Sequence, residues 1–257
     1  MKPSSIPSAA WQFVRNGGRG VRRWLIWSVL ALLALQLFFV TRIALMAWAD
    51  PHSTAFMRSE IWRRSQTTPT RPWAQQWVPW NQLSPHLKRA VIAAEDDKFK
   101  AHSGVDWPAV ESAWSKNRKT TEQANRTHAN AGALAKLVGG STITQQLAKN
   151  LLLSGERSLW RKGQELLLTF WLEALLDKRR ILEIYLNSVE WGDGVFGAEA
   201  AARRYFGVGA SQLGAEQAAR LAVMLPAPKT FEKRPQSAYL TRRTETILGR
   251  MGSASIP

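Results

Sequence analysis

The sequence predicts a mainly α fold behind one amino-terminal membrane helix. A long apolar run near the amino terminus, helix-periodic segments with start and stop signals after residue 84, and scarce strand patterning all point that way. With 257 residues the chain has room for one substantial domain and an appendage. Its formal charge of +16 implies an anionic partner: nucleic acid, acidic lipid headgroups or a phosphorylated substrate. No cysteine is present, which excludes disulfides and thiolate metal sites.

The first element is the anchor, predicted at 24–49 behind a basic tail at 1–23. Trp24 to Val40 is apolar apart from Ser28 and Gln36, and after Thr41-Arg42 the run resumes through Ala49. As one helix it would span roughly 35–40 Å, enough for a hydrocarbon core of about 30 Å. Arg42 would lie near the far end and snorkel to the interface. The tail holds Lys2, Arg15, Arg19, Arg22 and Arg23 and no acid, so the positive-inside rule keeps it cytoplasmic. The domain then lies beyond the cytoplasmic (inner) membrane, in the periplasm, on a single-pass protein. Ala47-Trp48-Ala49 also fits a signal-peptide cleavage site, but the apolar run exceeds the about 7–15 residues of such a peptide. Export under either reading argues against nucleic acid.

Residues 50–80 read as an irregular juxtamembrane segment, with four prolines and with Trp62, Trp73, Trp77 and Trp80 placed to rest at a bilayer interface. The domain proper is predicted at 81–250. Ser84-Pro85 starts a helix that runs to about Phe99, and Trp107-Pro108 starts another that ends near Trp114. Ser115 to Ala131 lacks an apolar stripe and reads as a basic loop, with a short helix near Ala133. Helices follow at about 142–153, 159–178, 180–188, 197–206, 214–225 and 236–250. Gly207 suits a helix C-cap, and Pro226 and Pro228 read as stop signals.

Three segments carry chemistry. Glu95-Asp96-Asp97 follows the apolar run Ala90–Ala94 and precedes Phe99, His102 and Gly104. A helix that buries such a face and ends in acids mounts a carboxylate for general acid or base work, or is simply a solvated helix end. Gly140-Ser141-Thr142-Ile143-Thr144-Gln145-Gln146 opens a helix with a capping box at Thr142 and Gln145. On it Gln145, Gln146, Lys149 and Asn150 form one polar face of amides and a single ammonium, suited to sugar hydroxyls or phosphate oxygens or merely exposed. Arg161, Lys162 and Glu165 follow on the next helix. A surface pair of this kind contributes only a few tenths of a kcal/mol, so stability explains it poorly. Arg161 and Lys162 could clamp a diphosphate opposite Lys149, with Glu165 a second carboxylate in the cleft of Glu95. Such a set, tethered to a membrane, suggests glycosyl transfer from a lipid diphosphate sugar.

Glu95-Asp96-x-x-Phe99-x-x-His102-x-Gly104, Gly140–Asn150 and Arg161-Lys162-x-x-Glu165 resemble the leading motifs of the peptidoglycan glycosyltransferases, the glycosyltransferase module of bifunctional penicillin-binding proteins. Arg180–Asn187 and Gly192-x-Gly194-x-x-Gly197-x-x-x-Ala201 look like the later motifs. The resemblance covers roughly residues 78 to 250. The short anchor, and the lack of a Ser-x-x-Lys element in an extra domain, resemble the monofunctional branch, the biosynthetic peptidoglycan transglycosylases.

The resemblance implies a mainly α, lysozyme-like glycosyltransferase domain that polymerises lipid II into β-1,4 glycan strands in cell wall biogenesis. It implies Glu95 as the general base and Glu165 as the second catalytic glutamate, with inversion and release of undecaprenyl diphosphate. Lys149, Arg161 and Lys162 match diphosphate ligands; Thr142, Gln146 and Asn150 line the donor cleft. Tyr185 contributes to the substrate site, and Asp96, Phe99 and His102 support it. Partners are lipid II, the growing glycan strand and the membrane, with cell-wall synthesis or division proteins as candidates. A divalent cation, Mg2+ or Mn2+, is left open at the diphosphate; His52, His86, His102 and His128 are scattered and form no metal motif. Two rivals remain: a lysozyme-like or lytic glycan-cleaving enzyme, which needs no diphosphate clamp, and a non-catalytic anchored scaffold that binds wall precursors. Leu166–Leu172 reads as core or as a surface for the lipid tail.

Overall fold

The computed structural model describes residues 8–66, 73–126, 140–153 and 159–257. They fall into two units, the amino-terminal helix up to Leu45 and the body from Met46. Helix α1 (Ser8–Leu45) begins earlier and ends sooner than the predicted anchor. Its stretch Gly20–Leu45, 26 residues, is long and apolar enough to cross a membrane. Trp24, Trp27, Leu33 and Phe38 are exposed along it, as a lipid-facing helix requires.

The body opens with a difference from the sequence reading. Residues 50–80 contain helix α2 (Ala55–Ser65), whose cap is Thr54 Oγ1, accepting from the Met57 N–H at 3.0 Å. Its arginines hide an apolar stripe, but Arg64 is buried and pairs with Asp193 at 2.6 Å. Strand β1 (Ala74–Gln75) follows. Helix α3 (Pro85–Glu95) starts as predicted, with Ser84 as cap, and stops before Phe99 because Asp96 leaves helical geometry at φ −163°. Helix α4 (Trp107–Arg126) runs through most of the segment expected to be a basic loop. Its Lys, Arg, Glu and Gln are good helix formers without an apolar stripe, and Arg118 and Glu122 pair one turn apart. The short helix expected near Ala133 lies outside the described residues.

Six further helices fall near their expected places, α5 (Ile143–Leu152), α6 (Leu159–Leu175), α7 (Lys178–Ser188), α8 (Ala198–Phe206), α9 (Ala215–Met224) and α11 (Ala238–Met251), and one, α10 (Pro228–Glu232), was not expected. Gly207 closes α8 in the left-handed conformation at φ 69°. Pro228, expected as a stop, opens α10, since a missing N–H costs nothing in a first turn. Strands β2 (Glu190–Gly192) and β3 (Val195–Phe196) complete a small sheet of order β1-β3-β2. β1 runs parallel to β3, and β2 runs antiparallel to it. Strands of two or three residues offer no alternation for a sequence to reveal.

One core packs α3 against α9 and α11. Small residues on the facing helices, Ala90 and Ala93 against Ala218, Ala219 and Ala222, leave little side-chain bulk between the backbones. The other places α5 against α6 and α7, filled by Ile143, Leu147, Leu151, Leu168, Leu172 and Ile184. The wholly buried Asn187 ties the chain before α3 to α7. It donates from Nδ2 to the carbonyls of Val78 and Glu183 and accepts from the Val78 N–H at 2.8 Å. Glu183 adds a bond from the Trp80 N–H at 2.7 Å. Part of the Arg180–Asn187 motif is therefore a fastening for the segment that leads into α3.

Candidate active site

The last turn of α3 delivers Glu95 to a cleft of about 450 Å³, which is also lined by Asp97, Asp106, Ser141, Thr142 and Arg250. Asp96, next in the chain, turns inward and is 7% exposed. One of its oxygens meets His102 Nε2 at 2.8 Å and the other accepts the Ile143 N–H at 3.0 Å. That N–H belongs to the first turn of α5, where a helix has unsatisfied donors and favours negative charge. Asp96 thus braces the end of α3 against the start of α5. Phe99 is buried, edge-on to the His102 ring at 6.4 Å and under the Lys178 ammonium at 4.5 Å. Gly104 closes the motif at φ +86°, where a Cβ would meet Thr169 at 2.7 Å and Glu173 at 2.9 Å.

The predicted capping box at the start of α5 is present, with Thr142 Oγ1 accepting from Gln145 N–H and Gln145 Oε1 accepting from Thr142 N–H. Thr142 Oγ1 also donates to the Gly104 carbonyl at 2.6 Å, so its hydroxyl is committed to holding the motifs together. From the next turn Gln146 donates through Nε2 to Glu95 at 2.7 Å and accepts through Oε1 from the Tyr185 hydroxyl at 2.9 Å. The Tyr185 ring is fully buried, and its hydroxyl meets the cleft through Gln146. Lys149 and Asn150 lie one turn further along, Asn150 buried.

Helix α6 supplies Arg161, Lys162 and Glu165. Glu165 is only 4% exposed, and its ion-pair partner is Lys162, three residues back at 2.5 Å. Thr169 donates to the Glu165 carbonyl. Beside Lys162 opens an apolar groove of about 800 Å³ between α4 and α6, lined by Trp107, Val110, Trp114 and Leu166 among others.

The electrostatics join these pieces. Glu95 holds its proton above the ordinary carboxyl range, first because it is buried and then because Asp96 is beside it; the Gln146 bond, Lys149 and Arg243 oppose this. Lys149 is held below the usual lysine range by burial and by Arg161 and Lys162, against the pull of Glu165 and Glu95. Lys149 therefore feels both carboxylates and both other cations, which puts the predicted catalytic and clamp residues in one field. Three neighbouring cations that repel one another favour a polyanionic ligand.

No group of three or more His, Cys, Asp or Glu side chains that could hold a metal occurs among the described residues. Glu165 already faces an ammonium, so these side chains alone do not fit a divalent-cation site. Two arginines on α11 were not foreseen: Arg243 acts on Glu95, and Arg250 pairs with Asp97 at 3.1 Å. They lie about 150 residues beyond the first motif, and no spacing pattern connects them to it.

A model of the Transglycosylase family matches residues 63–252. A relative from Burkholderia thailandensis named biosynthetic peptidoglycan transglycosylase is 52% identical over 248 residues, covering 95% of this chain and 91% of its own. One of the same name from Janthinobacterium sp. (strain Marseille) is 50% identical over 241 residues, covering 92% and 99%. A third, from Burkholderia orbicola, is 52% identical over 240 residues, covering 91% and 92%.

Proposed function

The chain belongs to the transglycosylase family and is a peptidoglycan glycosyltransferase, and from that premise we propose that Glu95 is the general base of an inverting polymerisation of lipid II. The observation that carries this reading is the Glu95 carboxylate, held in a confined cleft by one amide donor and sharing the field of Lys149 with a cation cluster.

The acceptor is the 4-hydroxyl of a GlcNAc. Glu95 takes its proton as the oxygen attacks C1 of the donor MurNAc on the face opposite the diphosphate. The bond from C1 to the diphosphate oxygen breaks, the electron pair leaves with undecaprenyl diphosphate, and an α linkage becomes β-1,4. Burial raises the basicity of Glu95 above that of an ordinary carboxylate, which favours its use as a base. Lys149, Arg161 and Lys162 neutralise the departing diphosphate, stabilising charge where it develops. Glu165 orients Lys162 and so the donor. Gln146 and Asn150 face the donor side, while Thr142, Tyr185, Asp96, Phe99 and His102 hold the site in shape. The apolar groove continuous with Lys162 gives the prenyl chain of the leaving group a path away from the reacting carbon.

A lytic enzyme has no use for three cations at its cleft, and a scaffold has no use for a buried carboxylate with raised proton affinity. We place the anchor at 24–49, the juxtamembrane segment at 50–80 and the catalytic domain at 81–250, beyond the inner membrane with the amino terminus cytoplasmic. Supplying the purified chain with lipid II or with finished glycan strands tests the reading. Polymer from lipid II, lost in Glu95→Gln while lipid II binding persists, is expected. Fragments from strands without polymer from lipid II would overturn it.

A further inference from the structure

We propose that Tyr185 is a positioning residue for this reaction: its buried hydroxyl fixes which end of the Gln146 amide faces Glu95, keeping a donor rather than an acceptor on the base. The inference rests on Glu95 being the base.

The two ends of a glutamine amide have nearly the same shape and opposite hydrogen-bonding character. Packing alone therefore does not choose between Nε2 and Oε1 as the group that meets Glu95, and a chemical partner must. Tyr185 is that partner. Its ring is wholly buried in α7, and its O–H reaches Gln146 Oε1 at 2.9 Å. Burial, with the Glu95 and Asp96 charges nearby, pushes the phenol well above its ordinary range, so it stays a donor at every working pH. A buried donor needs an acceptor, and Oε1 supplies one. Nε2 is then left pointing at Glu95, at 2.7 Å.

The reversed amide would set its carbonyl oxygen against the carboxylate. That contact is repulsive for the ionised form and becomes a good bond once Glu95 is protonated and can donate. The two amide orientations thus prefer the two protonation states of the base. Locking the amide holds Glu95 in the form able to accept a proton. The other charged groups acting on Glu95 are Asp96 at the end of α3, Lys149 on α5 and Arg243 on α11, with Asp97 and Arg250 on the same cleft wall. All five are untouched by a change at Tyr185.

The test is Tyr185→Phe in the full chain, which keeps the ring and removes the hydroxyl. Polymerisation of lipid II is followed from about pH 4 to about pH 9, wide enough to hold the acid limb set by a carboxyl base. The acid limb of the rate profile should move up by about one unit, so that a tenfold loss well below the limb shrinks toward none above it. A uniform loss at all pH values, with the limb unmoved, would mean that Tyr185 only supports the fold, and would overturn the proposal. Thermal melting of the same variant reports whether the fold has suffered. Gln146→Leu gives the second arm. In that background Tyr185→Phe should leave the limb where it is, because the two residues act through one amide. Additive shifts would overturn the proposal. Glu95→Gln separates the two ideas: near-normal turnover in that variant removes the base itself, whereas a dead variant with an unmoved Tyr185→Phe limb removes only the role of Tyr185.

Discussion

Asp96→Asn tests the architecture of the site with two readouts of known sign. The buried carboxylate makes two bonds, with His102 Nε2 at 2.8 Å and from the Ile143 N–H at 3.0 Å. Hydrogen bonds to a charged group contribute about 1.5–3 kcal/mol, against about 0.5–1.5 for neutral partners. The asparagine amide keeps the shape and can still accept from Ile143, so each bond weakens by about 1 kcal/mol and the pair by about 2. For a chain of this size that lowers the melting temperature by about 4–8 °C. The second readout runs the other way. Asp96 is the neighbouring negative charge that helps hold the proton on Glu95. Its removal lets Glu95 ionise more easily, so the acid limb of lipid II polymerisation moves to lower pH, opposite to the shift expected from Tyr185→Phe. Calorimetry and a rate profile on one preparation measure both. A melting change under about 1 °C would refute the brace between α3 and α5. A limb that stays or rises would refute the charge argument.

Lys149→Ala removes the cation that acts on both Glu95 and Glu165, and should cut turnover far more than Arg118→Ala, whose side chain is exposed and paired with Glu122 on α4. Steady-state rates on lipid II compare them, and equal losses would mean the clamp is misplaced. Trp114→Ala opens one wall of the apolar groove and should penalise lipid II with a long prenyl chain more than an analogue carrying a few isoprenes. The same loss on both would remove the groove from substrate binding. Glu190 is raised by burial from 4.5 to about 7, close to Glu60 and bridged by Lys229. A carboxyl raised in the folded state stabilises fully below its unfolded value and loses that contribution as pH climbs through 7. The melting temperature of Glu190→Gln relative to the parent should therefore rise from about pH 5 to about pH 8. A difference constant with pH would show that Glu190 is already ionised throughout.

What the sequence revealed of the fold followed from local signals. Thr142 and Gln145 cap α5 because both halves of the capping box lie within four residues, and Gly207 closes α8 because only its own backbone must turn left-handed. The misses came where periodicity and structure part company. In α2 the arginines mask the apolar residues, and the second half of α4 has almost no apolar stripe. Strands β1 to β3 are too short to alternate. In the site, the motif residues were visible but their division of labour was not. Thr142 and Tyr185 look like substrate ligands in sequence; in space the hydroxyl of each is engaged by a protein group, Gly104 for one and Gln146 for the other. Arg243 left no trace near Glu95 in sequence because it arrives from α11, which meets α3 only after the chain has folded.

That convergence has a consequence for the order of events in the cleft. Burial and Asp96 press the proton onto Glu95, while Gln146, Lys149 and Arg243 draw it off, and the contributions come from α3, α5 and α11, with α7 holding Gln146. Of these influences only Lys149 also belongs to the proposed diphosphate clamp. When a diphosphate settles on Lys149, Arg161 and Lys162, its negative charge offsets the pull that Lys149 exerts on the carboxylate. Glu95 then becomes a stronger base with the donor in place than in the empty cleft. With Glu95 as the proposed base, the enzyme thus gains proton affinity there when a leaving group is present to make use of it. A carboxylate paired directly with its own lysine could not respond in this way, because the pair would screen the arriving charge. In this cleft Lys162 takes that role at Glu165 and leaves Glu95 to an amide, a neutral donor that holds the carboxylate in place without fixing its charge.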